Sequence, residues 1–322
     1  MKAIRIHEHG GPEVLSYEDV PVPEPGPGEA LVKIDASGVN FIDIYFRTGL
    51  YPAKPPFTNG QEGAGTVAAV GQGVRDVRPG DRVALLQPHC SYAEYAIAGA
   101  KRLVKLPNGV TTKVAAASML QGGTAHYLTR STFELGESHT ALVHACAGGT
   151  GLLIVQIAKK FGARVIGTCS TEEKAAKARE AGADEVILYT QQDFSSECRR
   201  LTDGEGVDVV YDSVGKSTWT GSLDSLKPRG MMVTFGNASG AVPPFAPLEL
   251  TKRGSLFVTR PSMMAYIATD EEFSWRTSDI LNWIESGDLN VTVGGEFPLS
   301  DAAEAQSRLA GRKTMGKLLL IP

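Results

Sequence analysis

The octapeptide "HACAGGTG", residues 144 to 151, constrains the fold more than any other stretch of this chain. It is preceded by "TALV", a short apolar run that suits a strand buried on both faces, and followed by "LLIVQIAKKFGA". There Ile154, Ile157, Ala158 and Phe161 fall at i, i+3, i+4 and i+7, one apolar helical stripe. Gly162 stands just past that stripe, where a helix stops. Cys146, Gly148 and Gly151 take the three glycine places of the G-x-G-x-x-G fingerprint, read here as C-x-G-x-x-G. Gly148 lets the backbone approach a pyrophosphate and Gly151 lets the helix pack closely on the strand. The helix start then offers unpaired N–H groups and a partial positive charge to phosphates. A ligand-free glycine turn has the same spacing; the preceding strand, following helix and surrounding βαβ length favour the nucleotide reading.

The rhythm after residue 122 is strand, helix, strand, helix: "RVIGTC", "TEEKAAKAREA", "EVIL", "DFSSECRRLT", "VDVVYDSV", "WTGSLDSL" and "GMMVTFG". Such alternation builds a parallel sheet with helices on both faces. Upstream, to about residue 120, "EALVKIDASGV", "EGAGTVAAVG" and "DRVALL" are punctuated by "PEPGPGE", "GQGV" and "RPGD", which reads as short strands and turns. Beyond residue 262 come a helix around "SDILNWIESG", a strand "FPL", a helix "DAAEAQSRLA" and a closing strand "KLLLIP". A chain of 322 residues accommodates two domains by the prior of roughly 150 residues each.

An acidic residue usually follows the second strand of an NAD site. Here "GTCSTEEK" offers Ser170 and Thr171 instead, with Lys174 one turn into the helix. A carboxylate would repel a 2′-phosphate, whereas hydroxyls and a lysine bind one, so NADPH is expected over NADH. Lys174 also reads as a solvated helix residue, since Glu172 and Glu173 dilute its charge.

The segments "GVNFIDIYFRTGLYP", "GQEGAGTVAAVGQGVRDVRPGDRV", "ACAGGTG", "VVYDSVG", "FGNASG", "SLFVTRPS" and "LLLIP" carry a resemblance across essentially the whole chain. It resembles the medium-chain dehydrogenase/reductase superfamily and, within it, the zinc-free NADPH:quinone oxidoreductases related to zeta-crystallin. The resemblance implies an α/β fold: a Rossmann doubly wound parallel sheet binding NADPH over residues 123–262, and a GroES-like, mostly β catalytic domain from 1–122 and 263–322. The zinc-dependent members use a cysteine and a histidine where this chain has Asn40 and Gln61, leaving Glu62 alone, and the four-cysteine lobe is absent. No metal is therefore expected. A quinone is already electrophilic, so its reduction needs mainly a donor held close to a flat acceptor, and the cofactor carries the reaction.

Site residues follow from the same resemblance. Asn40, Asp43 and Tyr45 are expected to line the acceptor site, and each has a plainer reading, as a turn, a helix cap and packing. Tyr51 is a second candidate, an acid that protonates an enolate or a wall. Gly149 and Thr150 join Gly148 and Gly151 on the pyrophosphate, Thr150 standing where a valine is usual. Ser170, Lys174 and Tyr189 surround the 2′-phosphate, although "LYT" lacks the arginine of the related "NYR". Ser213, Phe235, Gly236, Asn237, Phe257, Val258 and Thr259 flank the ribose and nicotinamide, and Arg312 reaches the cofactor or remains a surface residue. "GSLFVTRP" resembles an edge strand that pairs two copies, so a homodimer is expected.

Other classes fit less well. A net charge of −4 without a basic stripe argues against nucleic acid as the main partner, although an RNA-binding or structural crystallin-like role belongs to the same resemblance. No apolar run approaches about 18 residues, so no membrane span is expected, and the N-terminus lacks a signal-peptide pattern. Four well-separated cysteines, without a CxxC pair, suggest free thiols in a reducing cytoplasm. The substrate expected is a quinone, with a 2-alkenal or other conjugated carbonyl, protonated from Tyr51, as the alternative.

Overall fold

A computed structural model describes residues 1–87 and 89–322. It divides into two compact units, residues 1–123 with 269–322, and residues 124–268.

The first unit begins with β1 (Lys2–Ile6), β2 (Leu15–Asp19), β3 (Glu29–Val39), α1 (Phe41–Arg47), β4 (Phe57–Thr58), β5 (Glu62–Val70), β6 (Arg82–Leu86), β7 (Tyr95–Gly99) and β8 (Leu103–Lys105). Alternation sets the faces: along β3, Val32 and Ile34 are buried while Lys33 and Asp35 are exposed. Val32, Ile34, Val67, Val83, Leu85 and Ala96 form its core. Helix α2 (Thr112–Tyr127) follows. Two helices thus stand in a stretch that reads as strands and turns. Helix α2 has no polar–apolar stripe to read, because Ala115, Ala116, Ala117 and Met119 bury several sides of it at once.

The second unit is β9 (Thr140–His144), α3 (Gly149–Lys160), β10 (Arg164–Cys169), α4 (Glu172–Glu180), β11 (Glu185–Leu188), α5 (Phe194–Leu201), β12 (Val207–Asp212), α6 (Trp219–Ser225), β13 (Leu226–Thr234), α7 (Leu248–Lys252), β14 (Phe257–Thr259) and α8 (Met263–Tyr266). Its strands run parallel in the order β11-β10-β9-β12-β13-β14, the doubly wound arrangement that reverses direction between β9 and β12. Ile154, Ile157 and Ala158 are fully buried, as their spacing requires. A buried polar chain ties α6 to the sheet. His144 Nδ1 lies 2.8 Å from Thr168 Oγ1 and its Nε2 2.9 Å from Ser222 Oγ, which donates to Asp212 Oδ2 at 2.9 Å. Burial pushes the His144 imidazole below its usual range and favours a neutral ring in this chain.

The chain then returns to the first unit through α9 (Asp270–Ser286), β15 (Val293–Pro298), α10 (Ala302–Ala310) and β16 (Lys317–Ile321). Helix α9 starts earlier than its apolar pattern, because the Thr269 side chain caps it by accepting the Glu272 N–H at 3.1 Å. Strand β16 pairs antiparallel with β3 and parallel with β15, the outer strand on that side of the larger sheet. Among the described residues no helix is long and apolar enough to cross a membrane.

Candidate functional site

In the second unit the turn from β9 to α3 is bare backbone. Gly148 is the N-cap and contributes no side-chain cap, so the first N–H groups of α3 are left for an outside acceptor. A Cβ on Gly151 would fall 2.3 Å from the Ala145 carbonyl, whereas one on Gly148 would meet only that carbonyl, at 3.2 Å. Gly151 thus serves helix–strand packing, and Gly148 keeps the turn open to close approach.

The end of β10 brings Ser170 and Lys174 together, with Lys174 Nζ 3.4 Å from Ser170 Oγ. Thr171 caps α4 by accepting the Lys174 N–H at 3.4 Å, which holds the lysine on the first turn. Thr190 Oγ1 donates to the Ser170 carbonyl at 2.9 Å and the Tyr189 N–H to the Cys169 carbonyl at 3.1 Å, so exposed Tyr189 stands beside the same pair. Nearby Glu172 is engaged by Arg179. The residues present suit a phosphorylated dinucleotide: an uncapped glycine turn for the pyrophosphate, and a hydroxyl, a lysine and an aromatic ring where a carboxylate would exclude a 2′-phosphate.

Ser213, Phe235, Gly236 and Asn237 cluster past the carboxyl ends of β12 and β13. A Cβ on Gly236 would lie 2.3 Å from the Ser213 carbonyl, and the Phe235 N–H donates to the Asp212 carbonyl at 2.8 Å. Arg260, which motif reading passed over, fastens this cluster: it donates to Thr234 Oγ1 at 3.1 Å and to the Gly236 carbonyl at 3.0 Å. With the Asn237 amide turned to satisfy both ends, its oxygen accepts from Arg260 at 3.1 Å. Phe257 and Thr259 lie on edge strand β14, where Phe257 is 58% exposed, whereas Val258 packs on the hydrophobic core. Arg312 belongs to the first unit, exposed in a positive-φ turn after α10.

Of the residues expected to line the acceptor site, Asn40 belongs to a buried charge cluster. Glu62 is not alone: the Lys317 ammonium meets its Oε1, Asn40 Nδ2 donates to the same oxygen at 2.8 Å, and the Leu120 N–H donates to Oε2 at 2.6 Å. Lys317 also donates to Asn40 Oδ1 at 2.6 Å, which Gln121 Nε2 approaches at 3.4 Å, and Asn40 Nδ2 reaches the Gly38 carbonyl at 3.3 Å. The Asn40 amide is therefore committed on both ends. Gly38 is glycine for a steric reason: a Cβ there would fall within 2.6 Å of Glu62 Oε1, Lys317 Cε and the Ala116 carbonyl. Gln61 and Gln121 keep buried Nε2 and Oε1 atoms without a protein partner.

Asp43 is wholly buried. Its Oδ2 accepts the Asn40 N–H at 2.8 Å and the Tyr92 hydroxyl at 2.8 Å, and its Oδ1 has no partner. Burial raises this carboxyl to about 7, against the hydrogen bonds from Tyr92 and Asn40 and the Lys317 charge, which favour the anion. Tyr45 is buried and Tyr51 half-buried, their rings 5.2 Å apart, and Phe46 meets Tyr51 edge-on at 5.8 Å. Among the described residues no three His, Cys, Asp or Glu side chains gather as metal ligands.

A β-rich unit joined to a doubly wound nucleotide unit with an open glycine turn is the architecture of a medium-chain dehydrogenase/reductase. Residues 26–137 match the alcohol dehydrogenase GroES-like domain and residues 149–280 the zinc-binding dehydrogenase family. A quinone oxidoreductase of Pseudomonas aeruginosa is 46% identical over 100% of this chain and 99% of its own. A 2-haloacrylate reductase of a Burkholderia species is 42% identical over 98% of each chain. The crystal structure of Escherichia coli quinone oxidoreductase complexed with NADPH superposes with a TM-score of 0.98 at 43% identity, covering 100% of both chains. The chain belongs to the quinone oxidoreductase family of the medium-chain dehydrogenases/reductases.

Two outcomes follow from the buried charges. Lys317→Met strands Glu62 without its counter-ion and is expected to cost about 3–5 kcal/mol, read by urea denaturation. Adding Glu62→Gln should recover part of that loss; full stability in the single variant would refute the pairing. For Asp43, the folded carboxyl near 7 lies above its ordinary 3.8, so the folded state binds more protons between those values. Its contribution is fully present below the ordinary value and is lost as pH rises through about 7. Asp43→Asn should flatten that part of the stability–pH curve, whose slope reaches about 1.4 kcal/mol per pH unit for one group.

Proposed function

We propose that this protein is an NADPH-dependent reductase of quinones that works without a metal. The observation that carries the reading is the pairing of Ser170 with Lys174 at the end of β10, beside the uncapped turn at Gly148. Gly149, Thr150 and the other first-turn N–H groups hold the pyrophosphate, Ser170, Lys174 and Tyr189 the 2′-phosphate, and Ser213 with the Arg260-braced Gly236 and Asn237 the ribose–nicotinamide end. NADPH, when bound, supplies the hydride.

In the first unit Asn40 and Asp43 act as positioning residues. Asn40 is saturated by Lys317, Glu62, Gln121 and Gly38, and Asp43 holds the start of α1 through the Asn40 N–H. Tyr45 and Tyr51 supply the aromatic wall. In the alternative reading, reduction of an enone leaves an enolate that needs a proton, and half-buried Tyr51 is the phenol assigned to give it. The Lys317 ammonium occupies the charge cluster formed by Asn40 and Glu62, and Gln61 supplies an amide where related enzymes have an imidazole. This donor set suits hydrogen bonding better than zinc coordination.

A second reading, reduction of conjugated carbonyls, rests on Tyr51 and on the resemblance to a 2-haloacrylate reductase. In either case two copies pair through edge strand β14, where Phe257 is exposed, and the four free thiols suit the cytoplasm.

The test is a steady-state screen of NADPH and NADH with quinones, enones and simple alcohols, EDTA present. NADPH with an ortho- or para-quinone should give the highest kcat/KM, unaffected by the chelator; zinc-dependent turnover of an alcohol overturns the reading. Lys174→Ala should raise the KM for NADPH by about tenfold or more, the loss of one charge-assisted phosphate contact, while leaving that for NADH nearly unchanged. Tyr51→Phe separates the two substrates: loss of enone turnover with quinone turnover kept makes its phenol the proton donor for enones alone.

A further inference from the structure

Two of the four cysteines sit where the nucleotide turn meets the second strand. Cys146 takes the first place of the C-x-G-x-x-G turn, and its N–H donates to the Thr168 carbonyl at 3.1 Å, which fastens the turn to the end of β10. A Cβ on Gly167 would lie 2.6 Å from Cys146 Sγ, so this thiol rests over Gly167. Cys169, two residues on, projects from the same face of β10, so the two buried thiols lie over one face of the strand end. Cys169 is also the residue before Ser170, with its Sγ 3.4 Å from the Thr171 carbonyl.

We propose that Cys146 and Cys169 form a dithiol site that hydroperoxides oxidise to a disulfide, and that the bridge weakens dinucleotide binding. The second half rests on the NADPH reading above. The Cys146 thiol, the Thr171 backbone and the Lys174 and Arg179 charges hold Cys169 below the usual thiol range, at about 7, whereas burial pushes Cys90 up to about 12 and Cys198 to about 11. The nucleophile is therefore the Cys169 thiolate. It attacks one peroxide oxygen: an S–O bond forms, the O–O bond breaks, and the departing hydroxide takes a proton to become water. The Cys146 thiol then attacks the sulfenic sulfur: the S–S bond forms, the S–O bond breaks, and hydroxide leaves as water with the Cys146 proton. Two thiols lose two electrons and the peroxide becomes two waters. The bridge draws the Cys146 turn toward the strand end that carries Ser170, and so disturbs both phosphate contacts.

The full-length protein is treated with hydrogen peroxide, quenched with catalase, digested without reductant and mapped by mass spectrometry. NADPH affinity is titrated by fluorescence before oxidation, after it, and after dithiothreitol. Expected are a bridged Cys146–Cys169 peptide and a Kd for NADPH weakened by about tenfold, both reversed by the reductant. Cys146→Ala and Cys169→Ser should each abolish the bridge and the peroxide-dependent change in Kd, and Cys146→Ala should leave a Cys169 sulfenic acid that dimedone captures. Oxidation confined to Cys90 or Cys198, or a bridge that leaves Kd unchanged, overturns the proposal. Failure of the reduced protein to bind NADPH defeats the cofactor reading instead, and the peptide map still decides whether the bridge forms.

Discussion

A lysine and a glutamate, both removed from water, face each other inside the first unit, and the geometry around them follows from the need to keep that pair neutral. Taking either ion out of water costs several kcal/mol, repaid only when every remaining donor and acceptor is satisfied. The satisfaction is supplied from four places: Lys317 at the start of β16, Glu62 at the start of β5, Asn40 just after β3, and the Leu120 N–H of α2. The pair therefore joins the last strand of the chain to its early strands and to a helix. It also dictates a glycine at position 38, where any side chain would strike both partners. Removing either partner would leave the other charge buried and unpaired, and together they fix Asn40 and, through Asp43, the start of α1.

The second unit solves a different problem, the presentation of bare backbone. Parallel strands buried on both faces bring their carboxyl ends to one edge, and the order reversal between β9 and β12 opens a crevice there. The contacts at that edge are short because glycines remove the side chains. Gly151 lets α3 close onto the Ala145 carbonyl and Gly236 lets the loop after β13 close onto Ser213. The polar chain from Thr168 through His144 and Ser222 to Asp212 holds α6 against the same strands from within. Asp212 also accepts the Val214 and Gly215 N–H groups at 2.7 and 2.9 Å, so the loop bearing Ser213 is fixed by the network that secures the sheet.

The doubly wound unit was readable in the sequence because its order is local: each strand, turn and helix announces itself within a dozen residues, and Gly148, Ser170 and Lys174 fall at fixed places in that rhythm. Helix α2 was not, since an alanine-rich helix buried on several sides has no stripe. The charge cluster was illegible for another reason. Glu62 and Lys317 are separated by 255 residues, and Asn40 and Lys317 by 277, so no window of sequence contains them. Motif reading finds Glu62 unaccompanied because its partner arrives with the last strand. Arg260 escaped likewise: its role depends on β14 lying beside β13, a consequence of topology and not of spacing.

The same contrast explains where chemistry is placed on this framework. Groups at Asn40, Glu62 and Lys317 spend their hydrogen-bonding capacity on one another, which leaves them rigid and makes them supports. Gln61 Nε2 and Gln121 Oε1, buried without a protein partner, retain capacity beside this cluster. A divalent ion would polarise a carbonyl strongly, and an alcohol that must lose a proton together with its hydride benefits from that. An ammonium already bound to a carboxylate polarises far less. Asn40, Glu62 and Lys317 thus hold their polar groups toward one another, and the cluster serves as a rigid support at the start of α1.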